Sequence, residues 1–296
     1  MALVATLIAN PSNPVLTPAL GEAASAAVDA AGLYWLADGI ACDIALRDGT
    51  DPEAAHRRLK DIIGDAPVDV AVQTAETRRK KLLLADMDST MIGQECIDEL
   101  AAEVGLKPKV AEITARAMNG EIEFEPALRE RVALLKGLAL AVVDEVIAKR
   151  ITLAAGGAEL VATMREHGAY TALVSGGFTL FTGPVAEKIG FDEHRSNILE
   201  VDGETLSGFV REPILGKQAK VDALIEITDR LGISTDEAIA VGDGANDLGM
   251  LELAGSGVAV HAKPSVAAQA RFRIDHGDLT ALLYLQGYRK TDFVVR

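Results

Sequence analysis

Residues 80–90 read Lys-Lys-Leu-Leu-Leu-Ala-Asp-Met-Asp-Ser-Thr, and this stretch decides the fold. Its apolar run, Leu82–Ala85, contains no helix signal and is typical of a strand buried on both faces. Asp86 and Asp88 follow at once, and an extended backbone points both carboxylates to the same side. Open α/β sheets bind their ligands at this end of their strands. Two carboxylates so close together must share a proton, bind a cation, or do both, so the stretch predicts a functional site.

Length, charge and cysteine content narrow the class of protein. The chain has 296 residues, of which 49% are apolar, and this suffices for two domains or one large domain with an insertion. A net charge of −15 argues against nucleic acid or an anionic membrane as a partner, but not against a phosphorylated substrate. Cys42 and Cys96 lie far apart without a Cys-x-x-Cys pattern, which fits a reducing compartment. Residues 1–9 lack the positive start of a signal peptide, and no apolar stretch approaches the about 20 residues of a membrane span. We therefore expect a cytoplasmic protein.

Residues 1–76 alternate short elements in the order β-α-β-β-α-β, which is typical of a ferredoxin-like α+β domain. The strands are predicted at residues 3–9, 33–36, 43–47 and 68–73, and the helices at residues 17–31 and 52–63. Residues 74–81 are polar and are interpreted as a linker. The run of four basic residues from Arg78 to Lys81 predicts a solvated basic patch.

Residues 93–150 predict four consecutive helices. In the first, Ile97, Leu100, Ala101 and Val104 recur at the spacing of one helix face, and Gly105 ends the helix. Similar apolar stripes continue to residue 147. Because this block follows the strand at residues 82–85 directly, we expect a helical cap over the end of that strand.

From residue 156 onward, helices and strands alternate, which predicts a parallel sheet with helices on both faces. Helices are predicted at residues 157–167, 218–231 and 279–286, strands at residues 170–174, 238–241, 257–260 and 272–274, and a hairpin at residues 198–210. Two of these strands end in polar motifs, Ser175-Gly176-Gly177 and Gly242-Asp243-Gly244-Ala245-Asn246-Asp247. Because parallel strands share one carboxyl edge, both motifs should meet Asp86 and Asp88 there.

Together with Lys220, these motifs supply four aspartates, a hydroxyl, a lysine and flexible glycine backbone. This set suits phosphoryl transfer through an aspartyl-phosphate, which needs a carboxylate nucleophile, oxygen ligands for Mg2+, and donors for the phosphoryl oxygens. Competing motifs fail at defined positions. An EF-hand starting at Asp86 needs glycine where Met91 stands, and a dinucleotide fingerprint starting at Gly242 needs glycine or alanine where Asp247 stands.

The motifs resemble the four motifs of the haloacid dehalogenase (HAD) phosphatases, at residues 86–90, 175–178, 220 and 242–247. Within that superfamily the pattern is most similar to the phosphoserine phosphatase family, which the cap also resembles at Glu95, Met118, Phe124 and residues 128–131. The similarity covers residues 80–290. The resemblance implies a Rossmann-like parallel-sheet HAD core at residues 77–296 with a helical cap inserted at about residues 93–150. Residues 1–76 resemble a divergent ACT-type domain that precedes this core.

The resemblance also implies roles for individual residues. Asp86 would be the nucleophile, and Asp88 would be the general acid/base. Mg2+ would be held by Asp86, Asp243 and the backbone carbonyl of Asp88. The phosphoryl oxygens would be bound by Lys220, which Asp247 orients, and by Ser175 and the Gly176 N–H.

In the cap, the resemblance assigns Glu95 to a substrate ammonium and Arg131 to a substrate carboxylate. Asn246 would contact the substrate, and Met118 and Phe124 would shield the site from water. Without the resemblance, Glu95 and Arg131 are interpreted as exposed helix charges, and Met118 and Phe124 as core side chains. For the phosphoryl-binding lysine, Lys217 is a nearby alternative to Lys220.

The implied reaction is Mg2+-dependent hydrolysis of O-phospho-L-serine to L-serine and phosphate, the last step of L-serine biosynthesis. Two other functions stay open: a HAD phosphatase or phosphotransferase for another small phosphomonoester, and a non-catalytic sensor that carries a phosphorylatable Asp86. Asp88 argues against the sensor, because a general acid/base two residues away speeds loss of the phosphoryl group. For the N-terminal domain, we expect either amino-acid binding or a contact in a homodimer.

Overall fold

The computed structural model describes residues 2–118 and 121–294, except for the side chain of Met118. Its N-terminal part is a four-stranded antiparallel sheet with two helices on one face. The order β2-β3-β1-β4 confirms the predicted ferredoxin-like arrangement. These elements are β1 (Leu3–Ala9), α1 (Pro18–Ala27), β2 (Gly32–Ala37), β3 (Ala41–Ala45), α2 (Pro52–Ile63) and β4 (Val68–Thr74).

Two element boundaries in this part were predicted wrongly. Helix α1 ends at Ala27 and not at residue 31, because Asp29 adopts a left-handed backbone with φ of 48° and β2 begins at Gly32. Strand β3 spans Ala41–Ala45 instead of residues 43–47, since its pairing with β1 runs from Ala41 to Ala45.

The next strand, β5 (Leu82–Ala85), is fully buried along its length, as the sequence predicts. Four helices follow it, which confirms the predicted helical block. They are α3 (Cys96–Glu103), α4 (Lys107–Met118), α5 (Phe124–Ala133) and α6 (Leu140–Lys149). Residues 91–94 pair with residues 152–154 at the base of this block, so the cap leaves and re-enters the core through adjacent segments.

The remainder of the chain alternates helices with strands. The elements are α7 (Gly157–Glu166), β6 (Tyr170–Phe178), α8 (Thr179–Ile189), β7 (Glu193–Asn197), β8 (Leu199–Asp202), β9 (Thr205–Val210), α9 (Lys217–Leu231), β10 (Ala238–Gly242), α10 (Leu248–Leu253), β11 (Ser256–Val260), α11 (Pro264–Ala267), β12 (Phe272–Ile274) and α12 (Ala281–Leu285). The sequence did not predict β7, α8, α10 or α11. It also ended β6 at residue 174, whereas the strand continues to Phe178. Residues 175–177 of this strand leave the regular pairing with β7 and form an irregular segment, the Ser175 loop.

Six of these strands form one parallel sheet in the order β12-β11-β10-β5-β6-β7. Alternate residues of β5 face opposite cores. Leu82 and Leu84 pack with α9 and α10, and Leu83 and Ala85 lie in the core that includes α7, α8 and α12. This confirms the α/β fold class and explains why β5 is apolar at every position.

The hairpin of β8 and β9 turns at residues 202–205, as predicted, but it extends the cap. Leu206 exchanges backbone hydrogen bonds with Gly137 and Leu138, and Leu140 N–H donates to the Glu204 carbonyl. A segment outside residues 93–150 therefore contributes to the cap. The domain boundaries at residues 76, 93 and 150 stay predictions.

The basic linker was predicted to be solvated, and for two of its four residues this is wrong. Arg78 is half-buried against Asp43 of β3, with 2.8 Å between Arg78 Nη2 and Asp43 Oδ2. Lys80 is 6% exposed and donates to the Asp236 carbonyl at 2.7 Å. The linker runs between the N-terminal sheet and the core, where a carboxylate pairs with Arg78 and a backbone carbonyl accepts from Lys80. Arg78 Nη1 has no hydrogen-bond partner among the described residues. Among the described residues, no helix combines the length and apolarity needed to cross a membrane.

Asp69 joins the N-terminal sheet to the end of the core. Its side chain is 3% exposed, and its two oxygens accept the backbone N–H groups of Asp275, His276 and Gly277 at 2.8 to 3.3 Å. Hydrogen bonds to a charged acceptor are stronger than neutral ones, so this contact fixes the two parts of the chain against each other.

Replacing Asp69 by alanine should lower the free energy of unfolding by on the order of 3–5 kcal/mol, because three backbone donors lose a charged acceptor. Urea unfolding followed by circular dichroism measures this change. Asp61→Ala, at an exposed position of α2, is the matched control and should change stability by less than about 0.5 kcal/mol. Equal unfolding midpoints for the two variants would contradict the assigned contact.

Candidate active site

The three polar motifs meet at one edge of the sheet, as the sequence predicts. Strand β5 lies between β6 and β10, so Asp86, Ser175 and Asp243 leave neighbouring strands side by side. All three are at most 9% exposed. The strand order therefore builds a polar, buried site from segments that are distant in the sequence.

A buried lysine lies between two of the aspartates. Lys220 Nζ is 2.6 Å from Asp86 Oδ1 and 2.5 Å from Asp247 Oδ1, and Asp247 Oδ2 accepts the Gly244 N–H at 3.0 Å. Burial lowers the pKa of Lys220, but the two carboxylates outweigh burial and raise it above its ordinary value. Lys220 is therefore a fixed cation beside Asp86. The alternative, Lys217, is exposed at the first residue of α9.

Carboxylate oxygens of Asp86, Asp243 and Asp247 all lie within 4.8 Å of one another. Three carboxylates against one ammonium leave this cluster with a formal charge of about −2. Burial raises the pKa of Asp86 well above its usual value, although Lys220 opposes that shift, and burial and Asp247 raise the pKa of Asp243. Both pKa shifts reflect burial of neighbouring carboxylates away from water. A bound divalent cation would offset the repulsion between them.

The donor set of this cluster fits Mg2+, which prefers carboxylate oxygens. Both oxygens of Asp247 already accept from Lys220 and Gly244, so Asp86 and Asp243 are the better ligands of the three. Asp86 Oδ1 is buried and forms an ion pair with Lys220, but no group among the described residues donates a well-oriented hydrogen bond to it. Thr90 donates to Asp243 Oδ1 at 3.3 Å and orients that carboxylate. Ligation by the Asp88 carbonyl stays a prediction.

Asp88 lies in the turn between β5 and the cap. The backbone N–H of Cys96, at the first residue of α3, donates to Asp88 Oδ1 at 3.3 Å. Burial and the nearby Glu95 carboxylate raise the pKa of Asp88 to about 7. A group with this pKa can both give and take a proton near neutral pH, as a general acid/base must. Gly177 faces this carboxyl group closely, because a Cβ there would lie 3.0 Å from Asp88 Oδ2.

The Ser175 hydroxyl is oriented by its own loop. Ser175 Oγ accepts the backbone N–H of Gly177 at 2.9 Å, which leaves the hydroxyl proton free to donate elsewhere. Phe124 of the cap covers this loop, since its ring would lie within 3.7 Å of a Cβ at Gly176 and within 3.4 Å of a Cβ at Gly216. The site thus has a polar floor from the core and an apolar cover from the cap.

The other residues predicted to bind the substrate lie in different surroundings. Glu95 is exposed, accepts the Ser89 hydroxyl at 2.8 Å, and is near enough to Asp88 and Arg131 to affect the pKa of each. Arg131 donates from Nε to the Ala127 carbonyl at 3.2 Å and from Nη1 to Thr114 at 3.3 Å. Asn246 is exposed beside the aspartate cluster. The side chain of Met118 lies outside the described part of the chain.

The sequence analysis gave no role to three residues that support the site, although one of them, Thr90, lies in the motif at residues 86–90. Thr90 is buried against Asp243, and Asp98 is close enough to Arg131 to raise the pKa of that guanidinium against the lowering by burial. Asn197, at the end of β7, binds two site loops through its amide. Only Thr90 carried a sequence signal, through its position two residues after Asp88.

Comparison with known proteins agrees with this geometry. The family model described as haloacid dehalogenase-like hydrolase matches residues 83–252. A phosphoserine phosphatase of Polaromonas sp. is 46% identical over 223 residues, which are 74% of this chain and 94% of that protein. The chain therefore belongs to the haloacid dehalogenase-like hydrolase family.

Solved structures extend the likeness to nearly the whole chain. A HAD family hydrolase from Salmonella enterica serovar Typhi gives a TM-score of 0.84 at 29% identity, over 96% of this chain and 98% of that one. A phosphoserine phosphatase solved as a phospho-aspartyl intermediate analogue gives a TM-score of 0.65 at 40% identity, over 70% of this chain and 98% of that one. The protein is an enzyme, a phosphatase of this family, and its cofactor is Mg2+. The ACT-type character of the N-terminal domain stays a prediction.

Replacing Asp243 by asparagine should weaken Mg2+ binding by at least about 100-fold, because it removes one of the two carboxylates that are free to bind the ion. Calorimetric titration of Mg2+ without substrate measures the change. Glu252→Gln, which removes the same charge at an exposed position of α10, should bind Mg2+ as the wild type does. Equal affinity in both variants would exclude Asp243 as a ligand.

Proposed function

We propose that the protein hydrolyses O-phospho-L-serine to L-serine and phosphate, the last step of L-serine biosynthesis. The observation that carries this proposal is the buried Asp86 carboxylate, held by Lys220 beside a second acid of pKa about 7, Asp88. The phosphoserine phosphatase relatives support the choice of substrate.

In the first step, an oxygen of Asp86 attacks phosphorus in line with the bond to the seryl oxygen. That bond breaks as the new bond to Asp86 forms, and Asp88 gives its proton to the departing seryl oxygen. The pKa of Asp88 supports this role, because an ordinary aspartate would hold almost no proton at neutral pH. The products of the step are L-serine and phospho-Asp86.

In the second step, water attacks the phosphorus of phospho-Asp86. Asp88, now a carboxylate, takes a proton from that water, and the bond between phosphorus and the Asp86 oxygen breaks. Phosphate leaves, Asp86 is again a carboxylate, and Asp88 is again protonated. One residue thus serves as acid and then as base, and the cycle closes without any other proton carrier.

The phosphoryl oxygens need donors that are in place before the reaction. Lys220, the Gly176 N–H and the Ser175 hydroxyl supply them, and the Ser175 proton is free because Gly177 already donates to Ser175 Oγ. Asp247 holds Lys220 in position from the other side. Asp86, Asp243 and the Asp88 carbonyl would hold Mg2+, which would supply neutralisation of the charge on the phosphoryl group and on the nucleophile.

The cap selects the organic part of the substrate. Glu95 pairs with the ammonium of phosphoserine, and Arg131 pairs with its carboxylate in a bidentate fashion. The half-buried guanidinium of Arg131 is available for this, because within the described part of the chain its Nε and Nη1 donate only to neutral acceptors, a carbonyl and a hydroxyl. Asn246 contacts the substrate from the core, and Met118 and Phe124 exclude water above it.

Two further expectations belong to this proposal. The enzyme acts in the cytoplasm, and the N-terminal domain serves in a homodimer or binds an amino acid. Light scattering gives the mass in solution, and calorimetry with L-serine and other amino acids tests the binding. A monomer that takes up no amino acid would remove both assignments for the domain.

Phosphate release from small phosphomonoesters tests the reaction itself. With Mg2+ the wild type should prefer O-phospho-L-serine, Asp86→Asn should abolish turnover, and Asp88→Asn should lower kcat by about 100- to 10,000-fold. Asp229→Asn, exposed on α9, is the matched control and should keep full activity. Normal turnover in Asp86→Asn would contradict the mechanism. No turnover of any ester by the wild type would contradict the proposed function.

Measuring each cap variant with substrates that lack one charged group tests the two recognition residues separately. Arg131→Met should lower kcat/KM for phosphoserine by about 10- to 100-fold, because it removes a charged hydrogen-bond donor, and should leave phosphoethanolamine, which has no carboxylate, nearly unaffected. Glu95→Gln should lower kcat/KM for phosphoserine about 10-fold more than for phospholactate, which has no ammonium, because the lost effect of Glu95 on the pKa of Asp88 is common to both substrates. Arg129→Met, on the same helix as Arg131 and paired with Glu212, is the control. Equal losses on both substrates would contradict the assignment.

A further inference from the structure

Asn197 ends β7, the edge strand of the parallel sheet, and belongs to none of the four motifs. Its side chain is 2% exposed. A buried amide costs free energy unless its polar atoms are hydrogen-bonded, so its partners explain its presence.

Those partners lie in two different loops of the active site. Asn197 Nδ2 donates to the Gly176 carbonyl at 2.8 Å and to the Leu215 carbonyl at 3.1 Å, and Asn197 Oδ1 accepts the Leu215 N–H at 2.7 Å. The amide plane is thereby fixed at both ends. One side chain bridges the loop after Val174 and the segment that leads into α9.

The bond to Gly176 reaches the phosphoryl site through one peptide group. The Gly176 carbonyl shares its peptide plane with the Gly177 N–H, and that N–H donates to Ser175 Oγ at 2.9 Å. Holding the carbonyl therefore holds the donor that orients the Ser175 hydroxyl. Without Asn197 this peptide loses its outer anchor, and the hydroxyl loses its fixed direction.

The bonds to Leu215 act on the other side of the site. Leu215 comes just before Gly216, the N-cap of α9, and Lys220 lies in the first turns of that helix. Between Asn197 and Leu215 the chain leaves the core to form the hairpin of β8 and β9, which joins the cap. Asn197 closes the base of this hairpin, so the two phosphoryl-binding loops keep their spacing whatever the position of the cap.

We propose that Asn197 is a positioning residue for phosphoryl transfer, whose amide fixes the loop of Ser175 and Gly176 against the segment that carries Lys220. This inference rests on the proposed function and deepens it. Asn197 touches no reacting atom, and its effect passes through backbone groups of both loops.

Steady-state kinetics of Asn197→Ala with O-phospho-L-serine and Mg2+ test this role. Misplacing the phosphoryl donors by a fraction of an ångström should lower kcat by about 10- to 100-fold, and it should raise KM by no more than about 10-fold because the phosphoryl group of the substrate binds the same donors. Ser196→Ala is the matched control, because Ser196 is the neighbouring buried residue of β7 and, among the residues described, its hydroxyl is hydrogen-bonded only to Thr182, at 2.7 Å. It should lower the thermal midpoint to a similar extent while keeping kcat.

Asn197→Asp is a second variant that does not depend on the alanine variant folding. It keeps the oxygen that accepts the Leu215 N–H and replaces the donor that faces the two carbonyls, so it should lose kcat as Asn197→Ala does. Wild-type kcat in either folded variant, or an equal loss in Ser196→Ala, would overturn the role.

Binding of inorganic phosphate, measured by calorimetry with Mg2+, separates this inference from the proposed function. It reports on the phosphoryl donors whatever the organic part of the substrate is, and Asn197→Ala should weaken it by about 10-fold or more. Weaker phosphate binding in a protein whose wild type ignores phosphoserine would keep the role of Asn197 and reject the substrate. Unchanged phosphate binding in the variant would reject the role.

Discussion

The rest of the active site depends on the buried contact of Lys220 with Asp86 and Asp247. Removing one partner from such a group leaves an uncompensated charge out of water, at a cost of roughly 3–5 kcal/mol. The contact also joins three segments: the end of the central strand β5, the start of α9, and the loop after β10. The same interaction that places Asp86, the proposed nucleophile, therefore also fixes the helix and the loop that we propose bind the phosphoryl group and the metal ion.

Small residues allow the charged parts of this site to come so close together. At Gly242 a Cβ would lie 2.4 Å from the Asp247 carboxyl group, and at Gly177 it would lie 3.0 Å from Asp88. At Gly176 and Gly216 a Cβ would make only ordinary contact with the ring of Phe124, at 3.7 and 3.4 Å. Close packing therefore requires glycine at positions 242 and 177, and neither has a positive φ.

The sequence predicted the parts whose signals are local. The strand Leu82–Ala85 was recognised because both of its faces are buried, which makes every position apolar. The polar motifs come at the ends of predicted strands, so the sheet topology brought them together as expected. Strand β7 was missed because all five of its residues are polar, as an edge strand permits. Helix α8 was missed because it contains Gly183 and Pro184, which signal a break.

The remaining errors concern contacts between distant segments. Arg78 and Lys80 look solvated in sequence, since nothing nearby indicates that Asp43 and the Asp236 carbonyl will accept their donors. The role of Asn197 has no signal in the sequence either, because it depends on two loops that only the fold brings into contact with its amide. Local pattern predicts elements and motifs, whereas the polar partners of buried side chains are a property of the tertiary structure.

The position of β5 in the sheet has a consequence for protein synthesis. This strand emerges early from the ribosome, but its two neighbours, β6 and β10, lie far downstream, and Asp247 follows the second of them. Until then the apolar strand and its paired acids have no partners, and long-range parallel pairing is slow to form. The N-terminal sheet, whose strands are all contained in the first 74 residues, can fold while the remainder is still being made. Through β1 and β4 it then presents a finished surface on which the later core assembles.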